Sequence, residues 1–310
     1  MNKIIPILSL SAFTLFSIAG CDNKQQQETE TVVQNTEAQS VESSSDTANP
    51  DWPTYVVATD PSNAPFELRN EQGTVDGFDV DLIKAIAKAE QFNVDVIPQP
   101  WSGVFQSLDS GERDILIAPL TINAERDELV DFTIPYIYPT RTAYLLPETA
   151  AKLGINTYQD LPKAQIAAKK ATTNISSLVD DFGEANLNLV PVDSQYLALT
   201  AVTSGQAQAG FGDTAVLQHH AREMNGVDFV TIEQTLNEPV KAGFAVQNGN
   251  TELAELLNKG IKTVVADGTY RQLAIKWFGE ELGNQIADRT QKYMGLNNSS
   301  QQSNAQEVAS

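Results

Sequence analysis

One cysteine and two histidines are all that 310 residues offer for disulfide or soft-metal chemistry. A lone thiol closes no internal disulfide, and three such residues cannot build a four-ligand structural zinc site. Basic residues are scarce as well: 20 Lys and Arg stand against 40 Asp and Glu, a net charge of −20. A surface so acidic repels phosphate backbones, which argues against nucleic acid as a partner. Neither a G-x-S-x-G elbow nor a P-loop occurs. His219 and His220 are neighbours. On a helix such residues point about 100° apart, so they are not expected to chelate together, and no metal or other cofactor is expected. What is present suffices for a core. Hydrophobic residues make up 41% of the chain, and the length corresponds to roughly two domains of about 150 residues.

The only long apolar run lies at the start. Lys3 precedes residues 4–19, sixteen positions that include four Ser or Thr. One positive charge before a short apolar stretch is the layout of an export signal, and the run falls short of the about 20 clean apolar residues that span a bilayer. It ends Ile18-Ala19-Gly20-Cys21, which resembles the bacterial lipobox. That resemblance implies cleavage after residue 20, acylation of Cys21 and a membrane anchor outside the cytoplasm. Residues 22–50 carry six acids, one base and no aromatic, so 21–50 reads as a solvated, disordered tether. The stretch 281–310 reads as a C-terminal helix followed by a Ser-, Asn- and Gln-rich disordered tail.

Between these ends strands and helices alternate. Strands are expected at 55–59, 94–97, 114–118, 165–168, 187–190, 207–211 and 243–246. Helices are expected at 79–92, 104–108, 174–182, 195–204, from 214 onward, at 252–266 and at 270–278. Such alternation implies an α/β fold with parallel sheets and right-handed crossovers. Ligands then sit beyond the carboxyl ends of the strands. The residues there are Asp60, Trp101, Thr121, 169–173 and Asp213, and they come from both halves, so the expected site is a cleft between two lobes.

Several residues at those ends could carry chemistry. Arg126 offers a planar fork that fits a carboxylate, or it pairs with Glu125, Asp127 or Glu128 on the surface. Asp213 opens a helix and could cap it, face the cleft with one oxygen, or do both. Thr172 and Thr173 begin another helix, where free N–H groups favour an anion. Trp101 is either core or a wall of the site. A cation and an anion on opposite lobes would suit a zwitterion. Gly210-Phe211-Gly212-Asp213-Thr214-Ala215 fits G-x-G-x-x-A. It is set aside as a dinucleotide site, because Asp213 would stand where the pyrophosphate must lie.

Taken in order, the blocks Ala58-Thr59-Asp60, Ala64-Pro65-Phe66-Glu67, Gly77-Phe78-Asp79-Val80-Asp81-Leu82, Glu125-Arg126, Val130-Asp131-Phe132-Thr133 and Lys276-Trp277-Phe278-Gly279 resemble the family 3 bacterial solute-binding proteins. These are receptors of polar amino acid ABC transporters. The resemblance implies a two-lobe periplasmic-binding-protein fold of type II, with two crossovers and a ligand cleft between the lobes. Lobe one would be 51–143 plus 245–280 and lobe two 146–241, with hinges near 143–146 and 242–245. It implies that Arg126 clamps an α-carboxylate with help from Thr121, Thr172 and Thr173, and that Asp213 takes the α-ammonium. Trp101 would be a wall, while Asp60 and Lys169 would read the side chain.

Asn63 stands where the family often has an aromatic, and Ala171 where a Gly is common. The Lys169–Asp60 combination resembles glutamine-type binders; with Asp60 turned away, Lys169 would favour Glu or Asp. The implied partners are an amino acid and an ABC permease, and the implied state is monomeric. Alternatives on the same fold are a prephenate or arogenate dehydratase, for which Asp60 is the obvious acid, and a sensory lipoprotein.

Overall fold

Every segment that reads as a buried strand forms one, but the sheets they build are mixed rather than parallel. A computed structural model describes residues 48–296. The export signal, Cys21, most of the tether and the tail beyond 296 lie outside the described residues. The folded part begins slightly earlier than expected, because Asn49 already exchanges hydrogen bonds with Asn93.

In the first lobe the chain runs β1 (Thr54–Thr59), β2 (Ser62–Asn63), β3 (Glu67–Arg69), β4 (Val75–Asp76), α1 (Phe78–Glu90), β5 (Asn93–Pro98), α2 (Val104–Asp109), β6 (Ile115–Thr121), α3 (Ala124–Asp127) and β7 (Val130–Phe132). The second lobe holds β8 (Arg141–Leu145), α4 (Pro147–Leu153), β9 (Gln165–Lys169), α5 (Thr173–Phe182), β10 (Asn188–Val192), α6 (Gln195–Thr203), β11 (Ala209–Asp213), α7 (Thr214–Glu223) and β12 (Val230–Glu233). The chain then returns to the first lobe as β13 (Ala242–Gln247), α8 (Thr251–Ala266), α9 (Thr269–Phe278) and α10 (Glu280–Tyr293).

The first sheet has the order β5-β1-β6-β13-β7 and the second β10-β9-β11-β8-β12. In each, three strands are parallel: β1 lies between β5 and β6, and β9 between β10 and β11. The fourth strand of each sheet is antiparallel to them and is the strand that has just arrived from the other lobe. This is where the expectation of parallel sheets fails. A strand entering from the far lobe meets its sheet from the opposite direction.

The lobe boundaries shift for the same reason. Ala143 pairs with both Phe211 and Ile232 in the middle of the second sheet, and Ala242 pairs with Thr121 in the first. Ile137 still bridges Ala242, Gln234 still bonds to Arg141 and Lys241 already bonds to Ile122, so the crossings occupy 138–140 and 235–240 instead of 143–146 and 242–245. Arg141, the first residue of β8, is only 5% exposed. Its guanidinium is satisfied inside the lobe by Asn174, Thr173 and Gln234.

The core of the first lobe is one continuous cluster that includes Val57, Phe78, Ile83, Leu257 and Tyr270, with a smaller cluster around Leu108 and Leu116. Phe78 has the rings of Phe66, Tyr270 and Phe278 within 5.1–6.1 Å. The last helix, α10, is pressed onto α9 through Gly283. A Cβ there would lie 2.6 Å from the backbone of Ala274 and Ile275. The second lobe divides its apolar residues among three smaller clusters.

Candidate ligand-binding site

Four strands aim their carboxyl ends at one cavity: β1 and β6 from the first lobe, β9 and β11 from the second. Its volume is about 500 Å³ including the mouth. Asp60, Asn63, Trp101, Thr121 and Arg126 line it from one side, and Lys169, Thr172, Thr173 and Asp213 from the other. All nine residues singled out from the sequence thus meet in one place.

Arg126 is positioned by the short helix α3. Asn123 caps that helix by accepting the Arg126 N–H at 2.9 Å, and the Arg126 Nη1 donates to the Thr121 carbonyl at 3.2 Å. The guanidinium carbon lies 5.7 Å from the Trp101 ring centre and 5.5 Å from that of Phe105, a cation–π bracket. Among the described residues no carboxylate comes within ion-pair distance of it, so the surface pairing with Glu125, Asp127 or Glu128 is not formed. Burial pulls its pKa below the ordinary arginine value, while the neighbouring Glu125 opposes the shift and Arg141 adds to it. It remains a cation, short of negative partners.

Asp213 occupies the N-cap position of α7, but its side chain makes no capping bond. Instead Gln195 donates to its Oδ2 at 2.9 Å and Asn174 at 3.3 Å. The Gln195 Oε1 in turn accepts the Asp213 N–H at 2.7 Å. This two-way grip depends on Gly212, where a Cβ would stand 2.0 Å from Gln195 Oε1. The second glycine of the dinucleotide-like pattern thus serves the packing of Gln195 against β11.

The lobes also touch across the cleft. The Lys169 ammonium lies 2.9 Å from Asp60 Oδ2 and 3.3 Å from the Ser62 hydroxyl. Trp101 donates its indole N–H to the Ala171 carbonyl at 2.9 Å. The hydroxyls of Thr121 and Thr173 are 3.0 Å apart, and Gln195 reaches Asn63 at 3.3 Å. Ala171, at the position where a Gly is common, has φ 55°. It holds the left-handed conformation that glycine would adopt without steric penalty. Thr172 turns its hydroxyl to the Lys169 carbonyl at 2.7 Å and does not cap α5. The first N–H groups of that helix are therefore not taken by its cap residue.

A family description, bacterial extracellular solute-binding proteins, family 3, matches residues 55–280. The chain belongs to that family. This family 3 protein is 30% identical over 232 residues to a probable histidine-binding protein of Neisseria gonorrhoeae, covering 74% of this chain and 84% of the relative. It is 29% identical over 294 residues to the ABC transporter glutamine-binding protein GlnH of Bacillus subtilis, with 91% and 99% covered. A solved ancestral arginine-binding protein bound to arginine matches with a TM-score of 0.66 at 30% identity, over 73% of this chain and 98% of that one. An ancestral arginine-binding protein bound to glutamine matches with a TM-score of 0.65, also at 30% identity, with the same 73% and 98% covered. The fold is that of the type II periplasmic binding proteins.

Within this family 3 site, sequence reasoning passed over Glu67, Phe105, Arg141, Asn174 and Gln195. Phe105 follows Trp101 by four residues, a helical interval that could have paired them. Gln195 and Asn174 are neutral amides at helix starts and carry no signal of their own. Glu67 lies in the cavity wall and is wholly buried, as is Asp79 behind it. Tyr136 donates to Asp79 Oδ2 at 2.6 Å, and Asn63 to Glu67 Oε2 at 3.1 Å. Among the described residues Glu67 Oε1 and Asp79 Oδ1 have no hydrogen-bond partner. Two carboxyls buried side by side do not both carry a negative charge. Burial raises Asp79 to about 7, and burial together with the Asp79 charge lifts Glu67 well above the ordinary carboxyl range. The neutral acid of the cleft is therefore Glu67, whereas Asp60 is tied to the Lys169 ammonium.

Outside the cleft lie the two histidines, with ring centres 5.4 Å apart. His219 at i and His220 at i+1 both bend toward Glu223, one turn further along α7, and one nitrogen of each lies with a carboxylate oxygen inside 4.8 Å. No helix among the described residues is long and apolar enough to cross a membrane.

Proposed function

We propose that the chain is a lipid-anchored extracytoplasmic receptor, tethered through acylated Cys21, that binds a polar L-amino acid of the glutamine type and hands it to an ABC permease as a monomer. One observation carries the choice of ligand: the charges of the cavity. Among the described residues Arg126 and Asp213 have no ion-pair partner, while Asp60 and Lys169 neutralise each other. The α-carboxylate of an amino acid answers Arg126, supported by the α5 N-terminus beside Thr172 and Thr173. The α-ammonium answers Asp213. A side chain then meets a neutralised pair, the amide of Asn63 and the face of Trp101, which suits a neutral hydrogen-bonding group. The glutamine-binding relative and the glutamine-bound ancestral protein agree with this reading. A cationic side chain would need the Asp60 carboxylate that Lys169 already holds.

The mechanism is capture, closure and docking, with no covalent step. Contacts available only when both lobes meet are what favour the closed form. Micromolar affinity requires roughly 8 kcal/mol net, within reach of two charge-assisted pairs and one aromatic wall.

The test is calorimetric titration of protein that has been unfolded and refolded to strip bound ligand, with the 20 amino acids, prephenate and arogenate. Tight binding of glutamine, weakened at least about thirtyfold in Arg126→Ala and Asp213→Ala, is the expected result. Tight binding of arginine or histidine instead would show that Lys169 leaves Asp60. Silence toward every amino acid, with turnover of prephenate or arogenate, would replace the receptor with a dehydratase whose acid is Glu67.

A further inference from the structure

The C-terminal half of α7 carries both histidines of the chain and a glutamate, and the ligand cleft uses none of them. His219 Nε2 lies 3.4 Å from Glu223 Oε1, and His220 Nδ1 lies 3.6 Å from Glu223 Oε2. One nitrogen of each ring and one carboxylate oxygen lie within 4.8 Å of one another, so small side-chain rotations bring all three onto one small cation. Arms of about 2.0–2.1 Å in a tetrahedral site place neighbouring ligand atoms about 3.3 Å apart. Neither contact is short enough for a strong hydrogen bond.

His220 adds an independent sign. It is 8% exposed, and among the described residues neither ring nitrogen has a hydrogen-bond partner. A buried imidazole with nothing on either nitrogen is missing a partner. On one side it is packed edge-on against Tyr196, ring centres 5.4 Å apart, and its Nδ1 is turned toward Glu223.

We propose that His219, His220 and Glu223 form a site for a divalent cation of the zinc, nickel or copper(II) class. Two imidazoles and one carboxylate fit such borderline ions, whereas magnesium and calcium take oxygen ligands. The His219 and Glu223 side chains are 32% and 61% exposed, so the fourth position opens to water and the site exchanges its ion instead of locking the fold. The ligands begin six residues beyond Asp213. At about 1.5 Å of rise per residue that is on the order of 9 Å from the cleft, so metal binding does not depend on the amino acid.

Untagged full-length protein, stripped with chelator, is titrated with zinc chloride in a calorimeter and with cobalt(II) in a spectrophotometer. The expected result is one zinc per chain and the visible absorption of four-coordinate cobalt. Zinc affinity falls at least about tenfold in each of His219→Ala and Glu223→Gln, because even outer partners of a metal site are worth about 10–100-fold. Both substitutions sit on exposed side chains, and unchanged thermal melting and amino acid titration would show that the fold is intact. Full zinc affinity in either variant, or the absence of a one-to-one end point in the parent protein, overturns the proposal.

Discussion

The first sheet, β5-β1-β6-β13-β7, and the second, β10-β9-β11-β8-β12, follow one plan: three parallel strands, an incoming antiparallel strand, then an edge. The lobes differ in what insulates that plan. In the first, α1, α8, α9 and α10 pack on one another around a single cluster, with Phe78 wedged among three aromatic rings. In the second, smaller groups of apolar residues leave room for buried polar ones: Arg141, Asn174, Gln195 and Gln234 are each less than 9% exposed. Three of these orient residues of the cavity: Gln195 grips Asp213, Asn174 donates to it, and Arg141 bonds to Thr173. The same architecture thus works as an anchor in one lobe and as a hydrogen-bonded setting for ligand groups in the other.

Truncation of Phe78 is the strongest way to test that contrast. Phe78→Ala should lower stability by about 3–5 kcal/mol in urea denaturation, and Leu199→Ala, packed among Tyr144 and Leu217, by less. Equal losses would mean that the lobes are equally rigid. Two glycines sharpen the comparison. Gly283→Ala drives a methyl into backbone that cannot yield, so it should lose about 1–3 kcal/mol in thermal melts and leave amino acid affinity unchanged. Gly212→Ala meets only the flexible end of Gln195. It should melt nearly as the parent does, yet weaken amino acid binding by at least about tenfold, because Asp213 loses its grip. The reverse pattern would refute the division of labour.

The smallest effect is a slope with pH. The Glu67–Asp79 pair keeps a proton in the folded protein that the unfolded chain releases at ordinary carboxyl values. Its stabilising contribution is complete below that range and is lost as pH rises through the Asp79 value of about 7. The loss approaches about 1.4 kcal/mol per pH unit for one proton. Asp79→Asn removes the group that titrates in this window, so urea midpoints between pH 5 and 8 should flatten. A parallel slope in the variant would assign the dependence to other groups.

The alternation of elements was legible because strands covered on both faces are continuous apolar runs, such as Tyr55 to Ala58 or Ile115 to Ala118. The positions of the site followed from the rule that ligands gather at strand ends, which brought Asp60, Thr121, Lys169 and Asp213 to one cavity before any atom was placed. The strand β8 was not legible, because the family resemblance put a hinge at 143–146, inside it. Nor were β2 to β4, which are too short and polar to show periodicity. The role of Glu67 was also hidden. A carboxyl becomes a neutral acid only through the burial and the second carboxyl that tertiary structure supplies. The approach of both histidines to Glu223 was not legible either, because helical geometry fixes Cβ directions, not where the rings turn.

The bond from Trp101 to the Ala171 carbonyl has an optical consequence. The chain has three tryptophans. Trp277 is bonded to Asp81 within the first lobe, and Trp52 sits at the entry to β1. Trp101 alone spans the two lobes. Any widening of the cleft moves its indole N–H from a carbonyl to water and withdraws the Lys169 ammonium from above its ring. Of the three emitters, two keep a constant background while the third brightens or shifts with the angle of the jaw, so this protein carries its own fluorescent gauge of closure without any label.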